Sequence, residues 1–288
     1  MWSESEHFPL LKIKFTHFIK FQIMKTTIYY FSATGNSLNI ARRVGTNLGD
    51  TEIISIANSL ENDSIETASE RIGLIFPVFA WGVPRIVVDF LEKVRFNNTK
   101  YLFAIATCVA IPGNTLPELK KLLKQKGINL DASFAVRSGR SSLMKLNILD
   151  KMIRILDTER KKIRTDIERL NEIVMVINSL QKNKPETSSW AANIFGSMFH
   201  DMGLKSFRTA DAGFIIRDTC KGCGNCAKLC PRNNIKIENG QPVFQHNCEL
   251  CHACIQWCPN FAIQHRNFDL NLPQYHNPAI RMSDMVVN

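Results

Sequence analysis

The feature that most constrains this chain is a cysteine pattern between Thr219 and Pro259. The spacing C-x2-C-x2-C-x3-C-P occurs there twice, and each cysteine of the second copy follows its counterpart by 28 residues, as Cys248 follows Cys220. Such a run holds [4Fe–4S] clusters through cysteine thiolates, with the fourth cysteine of each copy ligating the other cluster. The pattern therefore predicts two clusters with crossed ligands. The first cluster set is Cys220, Cys223, Cys226 and Cys258, and the second cluster set is Cys248, Cys251, Cys254 and Cys230.

The chemistry of ligation explains this spacing. Three closely spaced thiolates on a tight loop reach three corners of an iron–sulfur cube, while backbone N–H groups point at its sulfurs. Pro231 and Pro259 follow the fourth cysteines, have no N–H to place, and fix φ where the chain leaves each loop. Zinc is the alternative, because it also takes four cysteines, but zinc sites usually have two well-separated C-x2-C pairs. Disulfides are disfavoured, since no secretory signal is visible and a chain of this length needs no staples.

Cysteine usage and length set the broad class. Eight of the nine cysteines belong to the double motif, which indicates a reducing compartment. The ninth, Cys108, stands alone, and an unreactive buried thiol is favoured there over a flavin-tuning or redox role. A chain of 288 residues predicts about two domains.

The first 23 residues contain no long apolar segment. Their longest uninterrupted apolar run is Phe8–Leu11, which excludes a transmembrane helix and argues against a signal peptide. Met24 immediately precedes a clean strand. We therefore expect Met24 to be the natural start and residues 1–23 to be an upstream extension.

Apolar strands alternate with amphipathic helices over the next part of the chain. The first helix carries Leu38, Ala41, Val44 and Leu48 on one side, and a strongly periodic helix is predicted over residues 158–180. This alternation argues for a doubly wound parallel sheet with a ligand at its switch point. The predicted strands are residues 26–31, 52–56, 72–76, 101–107 and 131–136.

A hydroxyl-rich loop separates the first strand from the first helix. Its backbone N–H groups and the helix dipole would converge on a phosphate, and its hydroxyl groups would add donors. It lacks the lysine of a Walker loop and the three glycines of a dinucleotide fingerprint, so ATP and NAD fit poorly. An ordinary turn with a good helix cap is the alternative. The loop residues are Ser32, Thr34, Gly35, Asn36 and Ser37.

The second half carries fewer signals. Residues 182–189 are polar and contain Pro185, which indicates a linker. Residues 190–202 predict a helix that packs under the second domain, with a membrane-surface or partner helix as the alternative. Short strands are predicted at residues 214–216, 235–237 and 243–244, with a hairpin turn at Asn239-Gly240. Beyond Ile263 the sequence has no readable pattern.

Two of these patterns resemble known families. The sequence S/T-x-T-G-x-S/T after a first strand resembles the FMN-phosphate loop of flavodoxins, and residues 32–37 match it position by position. With the double cysteine motif, the chain from Met24 to Arg266 is similar to the flavodoxin–ferredoxin fusion family of anaerobic bacteria. The resemblance implies an α/β fold with a flavodoxin-like, doubly wound, parallel five-stranded sheet, followed by a small α+β ferredoxin domain of the bacterial type. The expected boundaries are 24–184 for the FMN domain, 185–212 for linker and packing helix, 213–266 for the two-cluster domain and 267–288 for a tail.

The resemblance also implies which loops border the flavin ring. The loop with Phe79, Ala80, Trp81 and Gly82 would lie along the ring, with Trp81 as the first candidate for an aromatic contact and Phe79 as the second. Plain packing is the alternative for Trp81. The next loop would contribute Thr107, Cys108 and Gly113, although relatives usually have glycines where Val109 and Ala110 stand here.

The function that the resemblance implies is electron transfer between FMN and the clusters, in the cytoplasm. Pairing these centres would couple two-electron to one-electron redox partners. The alternative is an FMN-dependent reductase of a small molecule, fed by the clusters. The sequence contains no constellation of His, Cys or acidic residues committed to substrate chemistry, which favours the carrier. A third hypothesis is a structural or regulatory module with a degenerate flavin site.

Charge bears on the partners. The formal net charge is +10. Each of the two oxidised clusters, with its thiolates, would add a charge of about −2, and so would a flavin phosphate, which leaves the loaded chain with a net charge near +4. Solvated Lys and Arg side chains explain this excess best, and a docking face for an acidic ferredoxin or flavodoxin comes second. Nucleic acid is not expected, because no basic run is interleaved with aromatic residues.

Overall fold

A computed structural model of the chain describes residues 24–109, 111–138, 167–267 and 273–287. The strands are β1 (Thr26–Tyr30), β2 (Thr51–Ser55), β3 (Ile65–Thr67), β4 (Arg71–Pro77), β5 (Val94–Phe96), β6 (Tyr101–Cys108), β7 (Ala132–Arg137), β8 (Phe214–Ile216), β9 (Ile235–Glu238), β10 (Gln241–Phe244) and β11 (Ile263–His265). The helices are α1 (Asn36–Leu48), α2 (Ile56–Ser59), α3 (Arg85–Lys93), α4 (Thr115–Gln125), α5 (Ile167–Asn178), α6 (Trp190–Phe207), α7 (Asn225–Lys228) and α8 (Ala253–Gln256), with 3-10 turns at Ala210–Gly213 and Met282–Met285.

The first unit is built on a five-stranded parallel sheet with the order β2-β1-β4-β6-β7. Ile28 of β1 lies opposite Ile53 of β2 on one side and Gly73 of β4 on the other. The inner strand β6 is buried along its whole length, as expected where helices cover both faces of a parallel sheet. The predicted doubly wound, flavodoxin-like fold is confirmed. Ligands of such sheets bind at the carboxyl ends of the strands, where the strand order reverses beside β1.

Helices cover both faces of this sheet. The predicted stripe of α1 is buried, and α1 and α5 pack on one face through Val44, Leu170 and Ile173. α3 and α4 pack on the other face through Phe90 and Leu119. Burying each side chain of this size contributes about 1.5–3 kcal/mol. The core therefore holds the strand ends, and the loops that follow them, in fixed positions.

The first unit contains a two-stranded parallel ribbon that the sequence did not predict. In it, Val94 of β5 pairs with Ile65 of β3. Strands of three residues are too short to show an alternating pattern, so the sequence did not reveal them. The predicted extension 1–23, the predicted helical residues 158–166 and part of the predicted tail lie outside the described residues.

The helix α6, predicted to pack under the second domain, contacts both units. Its Gly196 lies against Trp81, and its His200 lies against the backbone of Gly82. Phe207, at its end, joins an apolar cluster of the second unit. Trp190 is exposed. No helix within the described ranges combines the length and apolar character needed to cross a membrane.

The second unit consists of two structural copies with the same offset as the cysteines. The first copy is β8-α7-β9 and the second is β10-α8-β11. The copies exchange strands, because β8 pairs with β11 and β9 pairs with β10, both antiparallel. The predicted hairpin turn has φ of 48° at Asn239 and 75° at Gly240, as an Asn-Gly type I′ turn requires.

A buried charge cluster around Glu249 joins the two units. Its Oε1 accepts a hydrogen bond of 3.1 Å from the N–H of Ile86 at the start of α3. Its Oε2 lies 3.5 Å from Arg85 Nε and 3.6 Å from Arg232 Nε, and Arg232 in turn contacts Asp89 at 2.6 Å. Burial raises the pKa of Glu249, while the charges of Arg232 and Arg85 oppose that rise. The second cysteine loop is therefore anchored to α3 through a carboxylate shielded from water.

Removal of this carboxylate is expected to be costly. In a Glu249→Ala variant, two largely buried guanidinium groups lose the carboxylate that they share, and the free energy of unfolding should fall by about 3–5 kcal/mol. Denaturant titration of anaerobically purified protein measures this loss. The control is Glu238→Ala on the exposed surface of β9, which should stay within about 0.5 kcal/mol of the parent. Equal stabilities of the two variants would contradict the role given to Glu249.

Candidate functional site

A cavity lies where the carboxyl ends of β1, β4 and β6 meet the second unit. Most of the predicted cofactor residues line it: Ser32, Thr34, Asn36, Ser37, Phe79, Ala80, Thr107 and Cys108. Gly35, Trp81, Gly82 and Gly113 are not among its lining residues. The opposite side is formed by residues that were not predicted: Phe207, Leu250 and His252, together with the predicted cluster ligand Cys251. The cavity is therefore shared between the two units.

The loop after β1 has the features of an anion cradle. Gly35 is the N-cap residue of α1, with φ of 88°, and no side chain caps the helix there. The N–H groups of the first turn thus face the loop, as in helix termini that bind phosphate. The hydroxyl oxygens of Ser37 and Thr107 lie 2.8 Å apart and tie the loop to the end of β6. These residues fit an FMN phosphate better than they fit a capped turn.

The loop after β4 is held in an unusual backbone conformation. Ala80 and Trp81 both have positive φ, of 44° and 65°. Phe79 and Gly82 exchange two backbone hydrogen bonds across this turn, of 3.1 and 2.9 Å. The carbonyl oxygen of Ala80 lies 3.0 Å from Nδ1 of His200. A non-glycine residue with positive φ costs roughly 1–3 kcal/mol, so the surrounding contacts must fix this turn.

Within this turn, Phe79 and Ala80 face the cavity and Trp81 does not. The side chain of Trp81 instead packs between Gly113 and Gly196, where a Cβ on either glycine would crowd it. The N–H of Gly113 also donates a hydrogen bond to Ser188 Oγ at 3.1 Å, which fastens the loop after β6 to the predicted linker. These contacts are of the kind that the packing alternative for Trp81 describes. A ring contact from Trp81 or from Phe79 stays a prediction.

The first cluster set lines a second cavity. All four of its cysteines, from both copies of the motif, contribute to that cavity together with Lys221 and Ile237. Cys223 is exposed, whereas burial raises the pKa of Cys226 to about 11, with further increases from Cys223 and Cys258. The fourth cysteine of the second copy is therefore close to the first copy, as the crossed pattern predicts.

The second cluster set is more deeply buried. Burial raises the pKa of Cys248 to about 12, and the nearby Cys230 raises it further. Burial also raises the pKa of Cys254 far above the usual range, with contributions from Cys251, Cys230 and Cys248. The four thiols thus share one low-dielectric environment. A metal that binds them must displace their protons, and its charge stabilises the thiolates.

Backbone geometry suits both loops to iron–sulfur ligation. N–H groups donate to cysteine sulfurs at equivalent places in the two copies, from Asn234 to Cys230 and from Ala262 to Cys258, each at 3.3 Å. Equivalent residues also share positive φ. These pairs are Gly222 with Leu250 (62° and 49°), Gly224 with His252 (76° and 68°) and Asn233 with Phe261 (both 50°). N–H donors at the sulfurs are one of the means by which proteins tune cluster potentials.

The crossed thiols and the N–H···S bonds of both copies fit the iron–sulfur alternative. Zinc, which also takes four thiolates, stays the alternative that metal analysis decides.

Comparison with known families agrees with both sites. Residues 27–168 match the family model of the flavodoxin domain, and residues 213–259 match that of the 4Fe-4S dicluster domain. The chain therefore joins a flavodoxin domain to a 4Fe-4S dicluster domain, in the arrangement of a flavodoxin–ferredoxin fusion. The first domain implies FMN and the second implies iron–sulfur clusters, which gives the chain a flavin and iron–sulfur redox role.

Individual relatives are more distant. A trichloroethene reductive dehalogenase of Dehalococcoides mccartyi is 31% identical over 100 residues, which are 29% of this chain and 18% of that protein. The chain thus spans less than a fifth of that relative. Rubredoxin:oxygen oxidoreductase of Desulfovibrio gigas is 15% identical, with a TM-score of 0.36, over 54% of this chain and 35% of that one. A flavoprotein of Lactobacillus acidophilus in complex with FMN is 13% identical, with a TM-score of 0.33, over 39% of this chain and 93% of that one.

Cysteine substitutions test the ligand sets. Cys223→Ala and Cys251→Ala should each remove one four-iron cluster, so that iron falls from about eight to about four per chain. Iron and acid-labile sulfide are measured after oxygen-free purification. Cys108→Ala is the matched control and should keep all its iron, because Cys108 belongs to neither set. Full iron content in either ligand variant would contradict the assignment.

Proposed function

We propose that this chain transfers electrons between FMN and two [4Fe–4S] clusters, and thereby couples two-electron to one-electron redox partners. A flavin exchanges one or two electrons and each cluster exchanges one, and this is the chemistry that the bound groups supply. The observation that carries the proposal is the shared cavity, which has a phosphate loop on one side and a cysteine loop on the other.

The residues of the first unit would bind and orient the flavin. The hydroxyl groups of Thr34 and Ser37 would donate hydrogen bonds to the phosphate, and Thr107 would hold Ser37 in place. Phe79 and Ala80 would form the wall beside the ring system. The hydrogen bond between His200 and the carbonyl of Ala80 would keep that wall in position.

The residues of the second unit would bring one cluster next to the flavin. Leu250, Cys251 and His252 are consecutive and all line the cavity. Since Cys251 belongs to the second cluster set, that set would border the flavin site. The first set includes the exposed Cys223 and would face the surface. The protein would thus hold its two-electron site inside and present a one-electron site to partners.

The cavity lining also favours a carrier over a reductase. Three of the lining side chains carry a thiol or an imidazole that could react with a substrate: Cys108, Cys251 and His252. Of these, Cys251 is assigned to a cluster. Cys108 is buried at the end of β6. A substrate would therefore meet little proton-donating chemistry beside His252. The partners proposed are redox proteins, and the reducing environment that eight ligand thiols require suits the cytoplasm.

Cofactor content and electron capacity test the proposal. Anaerobically purified protein should contain about eight iron and one FMN, and a reductive titration should take up about four electron equivalents per chain. Half of these belong to the flavin and half to the two clusters. Colourless protein, zinc in place of iron, or a capacity of only two equivalents would contradict the proposal.

Turnover assays separate a carrier from a reductase. The reduced protein is mixed with nitroaromatic compounds, quinones or disulfides under anaerobic conditions. A carrier should reduce them slowly and without saturation. Saturable turnover with one class of acceptor would instead support the reductase.

A His252→Gly variant tests the contribution of the second unit to the flavin site. Its counterpart in the first copy is Gly224 with the same left-handed backbone, so the loop should fold and iron should stay near eight. Loss of a buried wall residue should weaken FMN binding about tenfold, which corresponds to about 1.4 kcal/mol. Fluorescence titration of flavin-depleted protein measures the affinity. The control is Asn233→Gly, a position that also has a left-handed backbone but lies away from the cavity, and it should bind FMN like the parent. Equal affinities of the parent and both variants would contradict a shared site.

A further inference from the structure

Residues 274–287 lie across both units, and we call them the strap. At its start, Gln274 Nε2 donates to the carbonyl oxygens of Ile255 and Cys258, at 2.6 and 3.1 Å. At its end, the N–H of Val287 donates to the carbonyl of Lys228 at 2.8 Å. Between these points the strap runs over the loop after β1. Its sequence has no periodic pattern, and its role emerges only from these contacts.

The strap and the second unit donate hydrogen bonds to the carbonyl groups of the loop after β1. The carbonyl of Thr34 receives the N–H of Asn277 at 2.8 Å, and the carbonyl of Ala33 receives Nε1–H of Trp257 at 2.9 Å. In a trans peptide the N–H points opposite to the C=O. The N–H of Thr34 therefore points away from Trp257, and the N–H of Gly35 points away from the strap, which is the arrangement that an anion inside the loop needs.

The strap also fixes the side-chain amide of Asn36. Its Oδ1 accepts hydrogen bonds from the hydroxyl of Tyr275 at 2.8 Å and from Nδ2 of Asn277 at 3.0 Å. With the oxygen turned toward the strap, the amide presents its nitrogen on the other side. A phosphate accepts hydrogen bonds, so this orientation keeps a repelling oxygen away from it. Burial raises the pKa of Tyr275, so its hydroxyl stays protonated and donates at neutral pH.

Further contacts hold the strap against the loop after β1. The buried side chain of Ile280 fills the space beside Gly35, where a Cβ would come within 2.9 Å of it. Asp284 pairs with Arg42 of α1 at 3.1 Å. Next to the cysteine loop, the ring of His276 stacks on that of Trp257 with centroids 4.3 Å apart. The strap thus packs against the loop and the cluster-bearing segment together.

From these contacts we propose that the strap is a part of the FMN site, in which Tyr275 and Asn277 position the loop after β1 to receive the phosphate. They are positioning residues, because they act through Asn36 and Thr34. The inference rests on the proposed function, since it requires that the loop binds FMN. It assigns a role to a segment that lies outside both matched domains.

The test compares FMN with riboflavin, which lacks the phosphate. Bound flavin is removed by dialysis, and both ligands are titrated by fluorescence into the parent, Tyr275→Phe and Asn277→Ala. Loss of one hydrogen bond to the loop should weaken FMN binding about 2–10-fold in each variant. Riboflavin affinity should stay unchanged. Ser283→Ala, on the exposed side of the strap, is the control and should match the parent for both ligands.

A second readout reports on the phosphate directly. The 31P chemical shift of protein-bound FMN at saturation should move in Tyr275→Phe and stay fixed in Ser283→Ala, with iron content unchanged in both. Parent protein that binds no FMN would refute the proposed function itself. Parent protein that binds FMN, with variants that keep both its affinity and its 31P shift, would overturn only the role of the strap. Equal weakening of FMN and riboflavin, or loss of iron in both variants, would also overturn it.

Discussion

The burial of one cysteine loop against the end of a parallel sheet is the interaction on which the rest of this structure depends. Residues 248–252 form that loop, and Glu249 fastens it to α3 through a carboxylate whose side chain is only 1% exposed. On one side of Glu249 lies Cys248, and on the other lies the cavity wall of Leu250, Cys251 and His252. A charge removed from water is stable only with its partners in place. The two domains are therefore held together at this point, and the cavity that they share lies beside it.

Internal duplication explains how one loop serves two purposes. Both copies of the cysteine motif need left-handed backbone at equivalent places, and the first copy uses Gly222 and Gly224 there. The second copy places Leu250 and His252 at the same positions, although side chains are disfavoured in that conformation. Those side chains line the cavity. The first copy thus has the less strained loop, with the exposed Cys223, and the second copy has a strained loop whose side chains form a cavity wall.

The sequence predicted those parts of the molecule that depend on local patterns. The cysteine spacing, the stripe of α1 and the apolar strands gave the cluster domain, the helix face and the sheet, because each is set by residues a few positions apart. The packing of Trp81 between Gly113 and Gly196 had no signal in the sequence, since it depends on two distant segments. Tyr275 and Asn277 had no signal at all. Their partners, Asn36 and Thr34, lie more than 200 residues away, and only the fold brings them together.

The central claim is that the flavin cavity belongs to both domains and borders the second cluster set. Diffraction from anaerobically grown crystals, with anomalous data collected at the iron edge, tests it most directly. The account predicts two four-iron clusters, with FMN in the cavity between the loop after β1 and residues 250–252, and with the cluster of Cys251 closer to it than the cluster of Cys223. Flavin density elsewhere, or a flavin nearer to the cluster of Cys223, would contradict the account.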